Sequence, residues 1–135
     1  MTGSAPSIDT WLAEAKRSPE AHLCGMYLTH VGVVRATPKA RVRDGVSGGV
    51  DADASVGSMT FAYDPDKVDS AVAAARAMPG IHHVRVWLNE GELEVGDDVM
   101  RVLIGGDIRP HVVDCLQELV GTLKGSCVSE VEHAS

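Results

Sequence analysis

Arg35, Arg109 and Lys124 are the side chains of this sequence with the clearest potential for anion chemistry. A guanidinium meets phosphate or carboxylate in a two-pronged geometry, and an ammonium can neutralise charge or move a proton at a reacting centre. Arg109 follows Gly105-Gly106-Asp107-Ile108 and precedes Pro110. A helix starting there would leave unpaired backbone N–H groups that favour an anion, and the glycine pair would let a ligand approach the main chain. Asp107 is the candidate cap of that helix. Lys124 lies fifteen residues (124 − 109) further on, about 22 Å along a continuous helix at the standard rise. One small ligand cannot span that distance, so a site using both groups must draw them from two subunits. Gly125 reads as the stop that leaves Lys124 at the negative end of the helix dipole.

Other reactive residue types lack a chemical pattern. His82 and His83 are neighbours on an expected strand and should point to opposite faces, while His22, His30, His111 and His133 have no ligand spacing, so no metal is expected. Cys24, Cys115 and Cys127 are odd in number and read as reduced structural thiols. The Glu90, Glu92, Glu94 series and Asp97-Asp98 read as turn and exposed-face charges. Lys39, Arg41 and Arg43 alternate within residues 36–55, a stretch rich in glycine and aspartate that reads either as a solvated loop or as a mobile basic flap beside Arg35. No nucleophile elbow or phosphate loop is present.

The expected elements must position those groups. Val112, Val113, Leu116, Leu119, Val120 and Leu123 follow helical spacing and predict a helix with one buried side between Arg109 and Lys124. A short helix is expected over residues 10–16, and another after Asp64-Pro65, which supply a cap and a proline at the first helical position. Strands are expected over residues 23–34, with a bend at Gly25 or Gly32, and over 56–63, 81–88, 99–104 and 126–131. Glu92-Leu93-Glu94 reads as a connection between turns. The order predicts one α+β domain over residues 1–135, with an antiparallel or mixed sheet and two main helices.

Composition limits the partners. Nineteen acidic against twelve basic residues give a formal charge of −7, which repels a phosphate backbone and argues against nucleic acid. No run is long and apolar enough to span a bilayer, and the first residues lack a leader pattern, so a cytoplasmic protein is expected.

Three features, in order and at matching spacing, resemble the large, catalytic subunit of molybdopterin synthase over residues 25–132. Gly25-Met-Tyr-Leu-Thr-His-Val-Gly-Val-Val-Arg35 is similar to that family's early strand ending in an active-site arginine. Glu90-Gly-Glu-Leu-Glu-Val-Gly-Asp97 is similar to its hairpin, and the interval from Arg109 to Lys124 to its helix between an arginine and the catalytic lysine. The resemblance implies an α/β-hammerhead-like fold and a homodimer within a heterotetramer. It implies a small ubiquitin-like sulfur-carrier partner with a Gly-Gly C-terminus, and no cofactor. The implied reaction moves thiocarboxylate sulfur onto cyclic pyranopterin monophosphate and forms molybdopterin, in molybdenum cofactor biosynthesis. By position, Arg35 and Arg109 would bind the substrate and Lys124 would be catalytic, with Lys39, Arg41 and Arg43 as loop contributors. Two family positions are unmatched: a histidine is replaced by Ile108, and a second lysine has no counterpart in Ser126-Cys127-Val128-Ser129-Glu130. The alternative is a noncatalytic dimeric binding or regulatory module of the same fold.

Overall fold

The computed structural model describes residues 5–37 and 55–134; Lys39, Arg41 and Arg43 lie outside them. The described chain runs α1 (Ile8–Lys16), β1 (Met26–Val33), β2 (Val56–Tyr63), α2 (Pro65–Arg76), β3 (Ile81–Leu88), β4 (Gly91–Glu94), β5 (Asp98–Gly106), α3 (Arg109–Thr122) and β6 (Val128–Ala134). The α+β class is as expected, with α2 and α3 the two longer helices. The strands form two three-stranded sheets instead of one, in the orders β1-β5-β3 and β4-β2-β6. Every described pairing is antiparallel.

β5 is the axis of the first sheet. Val102, Leu103 and Ile104 have no exposed surface, because α1 covers one face of the strand and the main core lies against the other. Alternation sends Val102 and Ile104 into that core and Leu103 toward Trp11 and Ala15 of α1. Ser7 caps α1 by accepting the Thr10 N–H. Arg85 then fastens the helix, lying 4.9 Å over the Trp11 ring and pairing with Glu14.

The second sheet closes the other end of the core. Glu92-Leu93-Glu94 is not a mere connection: it lies within β4, pairs with β2, and buries Leu93 while leaving both glutamates exposed. The sequence signal was three residues of strict alternation, too short to separate from a turn. Asp64 caps α2 with its carboxylate on the Asp66 and Lys67 N–H groups, and Pro65 opens the helix as predicted. On α3, Val112, Cys115 and Leu119 are buried, and Leu123 continues that stripe beyond the helix. Each such side chain contributes about 1.5–3 kcal/mol for full burial, enough to hold both ends of α3 in fixed places.

Candidate functional site

Lys124 does not sit on a simple helix terminus. After Thr122 the backbone widens into a π turn, Leu123–Cys127, closed by the Val128 N–H on the Leu123 carbonyl. Gly125 lies inside this turn without a positive φ, so it is not the predicted helix stop. Leu123 and Cys127 are buried at its two ends, and the Cys127 carbonyl accepts the Asp64 N–H at 2.9 Å. Single π turns at α-helices are frequent at functional sites. Here the turn presents Lys124 at a cleft between the two sheets.

Arg35 reaches the same cleft by another route. Val34, 1% exposed, donates to Asp97 O at 3.0 Å and accepts from Gly96 N at 2.8 Å. This anchor fixes the point where β1 leaves the sheet, and Arg35 follows it with Nε 3.3 Å from the Thr37 carbonyl. Gly32, Met100, Met59 and Phe61 contribute to the wall of the cleft. The described residues enclose about 50 Å³ there, room for one or two waters and much less than a drug-sized ligand occupies.

Two groups missed by sequence reasoning line this cleft, and a third stands near it. Glu130 and Glu132 line it, half-buried, opposite Phe61 and Met59 in the β2–β6 ladder. Directly opposed residues of a ladder share a face, so both carboxylates occupy the core-facing side of β6 while Val131 is 55% exposed. That inverted alternation was the sequence signal: Val128, Glu130 and Glu132 share a parity that places acids where apolar residues belong. His30 is the third. It lies on the core-facing side of β1, and burial, followed by the nearby charge of Lys124, pushes its imidazole below the usual histidine range.

The other end of α3 is built differently. Arg109 is exposed, outside the cleft, and makes no side-chain hydrogen bond or ion pair among the described residues. Asp107 is not the cap: Ile108 holds that position and offers no capping side chain. The Asp107 carboxylate instead accepts the Ile108 N–H at 2.6 Å and lies 2.7 Å from His111 Nδ1. The His111 hydrogen bond is the main reason its carboxyl is held below the usual range. The glycine pair is also not open to a ligand. A Cβ on Gly105 would stand 2.6 Å from the Tyr27 ring, and one on Gly106 2.7 Å from both Gly80 O and a Val112 methyl. Both glycines are sites of close packing against neighbouring strands and α3.

The structure therefore brings Arg35 and Lys124 together and leaves Arg109 at the opposite end of α3. Among the described residues no histidine, cysteine or carboxylate group has the arrangement of a metal site. Cys115 points at the Ala75 carbonyl, 3.7 Å away, and burial pushes its thiol up. No described helix is long and apolar enough to cross a membrane.

Comparison with known proteins gives a consistent fold. The family model described as MoaE protein matches residues 4–126. A molybdopterin synthase from Staphylococcus aureus superposes with a TM-score of 0.73 at 11% identity, over 99% of this chain and 89% of that one. A molybdopterin biosynthesis MoaE protein from Burkholderia ambifaria gives 0.67 at 18%, over 98% and 84%. A complex of subunits 1 and 2 of molybdopterin-converting factor from Helicobacter pylori gives 0.64 at 12%, over 97% and 81%. No curated protein matches by sequence.

Proposed function

The chain belongs to the MoaE protein family, and from that premise we propose that it acts in molybdenum cofactor biosynthesis as the catalytic subunit of a molybdopterin synthase. It takes sulfur from the thiocarboxylate of a small ubiquitin-like carrier ending in Gly-Gly and delivers it to cyclic pyranopterin monophosphate. The observation that carries this reading is the convergence of Arg35 and Lys124, 89 residues apart (124 − 35), on one cleft. Arg35 binds the anionic end of the substrate through its guanidinium. Lys124, the catalytic residue, stabilises charge or transfers a proton where carbon–sulfur bonds form.

Arg109 supplies a second anion contact from the neighbouring copy of a homodimer, since its place at the far end of α3 removes it from the Lys124 cleft of its own chain. The structural similarity to a complex of two molybdopterin-converting factor subunits supports a small-subunit partner. Lys39, Arg41 and Arg43 remain loop contributors to the proposed substrate contacts.

Incubation with a thiocarboxylated carrier and the cyclic pterin is the direct test. The expected product carries a dithiolene, detectable by mass spectrometry and by conversion to a fluorescent pterin. A folded protein that binds the carrier but yields no dithiolene would replace this reading with that of a noncatalytic binding module.

A further inference from the structure

The carboxylates of β6 are the least expected feature of the cleft. Strand alternation places Glu130 and Glu132 on the side of β6 that faces the core, beside buried Phe61 and Met59. A half-buried carboxylate without a favourable partner is costly, so its position calls for positive charge nearby. Lys124 and Arg35 line the same cleft. The family match ends at residue 126, so both glutamates lie beyond it. His30 faces this region from β1, and the residues contributed by β2 and β5 are apolar.

We propose that Glu130 and Glu132 are positioning residues that hold Lys124 as an ammonium ion in the cleft, with Arg35 as the second cation they balance. This rests on the molybdopterin synthase reading and narrows it: the lysine enters the reaction as a cation and proton donor, not as a free amine that attacks substrate. The two carboxylates stabilise the ammonium by direct Coulomb attraction. Solvent exposure of Lys124 limits the effect. Their second consequence is selectivity. An incoming anion must engage the cations against competition from two resident carboxylates, so a bare phosphate ion is held weakly unless the rest of the ligand adds contacts.

The test uses the whole chain with no substrate. Acetic anhydride acylates only unprotonated amines, and peptide mass spectrometry follows Lys124 alongside Lys16 and Lys67, two exposed lysines on α1 and α2. In the Glu130→Gln/Glu132→Gln protein, labelling of Lys124 at neutral pH is expected to rise about three- to tenfold, with its pH profile displaced to lower pH. The two reference lysines should be unchanged. Should the double variant fail to fold, each single glutamine variant should show a smaller rise, and Glu132→Asp should restore slow labelling. Unchanged or slower labelling of Lys124 in a folded variant overturns the proposal. Failure of the dithiolene assay would leave this labelling result untouched, so the two readings fail separately.

Discussion

The two ends of α3 carry one candidate cation each and treat it in opposite ways. At the first turn, Arg109 is exposed and has no side-chain partner among the described residues, while the carboxylate of Asp107, two residues earlier, is engaged with Ile108 N and His111. Beyond the last turn, Lys124 is presented by a π turn to a cleft lined also by two carboxylates and an arginine, with His30 close enough to feel its charge. A cation left without counter-charge is ready to meet an anion from another molecule. A cation surrounded by opposite charge is held in one place and one protonation state. Under the proposed function, the helix would serve two binding events, with Arg109 suited to capture and Lys124 to chemistry.

The largest effect should come from breaking the cleft end. Lys124→Ala is expected to lower sulfur transfer by about 10²–10⁴-fold, chiefly in kcat, the range for losing a positioned acid or charge-stabilising donor. Arg109→Ala should act mainly on KM, by about 10–100-fold, as loss of a charge-assisted contact. Equal damage to kcat by both substitutions would erase the contrast between the ends. Mixing the two variants under conditions that exchange subunits, assayed at substrate well below KM where each alone is nearly silent, sharpens it. If each site draws Arg109 from one copy and Lys124 from the other, half of the dimers are mixed and one of their two sites is intact, giving about a quarter of normal activity. No recovery, with subunit exchange verified, would place both residues in one subunit's site.

The next effect is on stability. Gly106→Ala forces a methyl against the Gly80 carbonyl and Val112, where the start of α3 meets the sheet. Backbone cannot move aside as a flexible side chain can, so a loss of about 1–3 kcal/mol is expected in denaturant melts. Gly121→Ala makes the control, because nothing lies within 4 Å of the added Cβ. That substitution lies within α3 and should be neutral or slightly stabilising. A harmless Gly106→Ala would show that the glycine pair leaves open space after all, as a ligand-approach site requires.

Much of this architecture was legible in the sequence because it rests on local rules. The apolar stripe of α3 and the Asp64-Pro65 start of α2 require only helical periodicity and capping chemistry, and both formed as expected. What was not legible depended on tertiary neighbours. The glycine pair looks alike whether a phosphate or the Tyr27 ring approaches it, and only the β1–β5–β3 packing decides. Asp107 resembles a cap until His111 and the Ile108 N–H claim its carboxylate. Leu93 looked like part of a turn because β4 is stabilised by its pairing with the distant β2. Glu130 and Glu132 were visible as a parity violation in β6, but recognising it required knowing which face of that strand meets the core.

The smallest predicted effect reads the same contrast without any substrate. Neutral His30 is favoured in the folded chain, first by burial and then by the charge of Lys124. Its folded value lies below the usual 6.5, so the unfolded chain binds more protons between the two values. The resulting stability is fully present above about pH 6.5 and is lost as pH falls through the folded value. His30 is only half-buried, so solvent screening keeps this contribution small. An NMR titration of the His30 ring resolves it directly. In Lys124→Ala the midpoint should move part of the way up toward 6.5, since the charge is gone while burial, the larger cause, remains. Arg109→Ala, at the far end of α3, should leave it in place. A His30 midpoint that ignores Lys124, or that follows Arg109 instead, would mean that the charge at the cleft is not where the contrast between the two helix ends requires it.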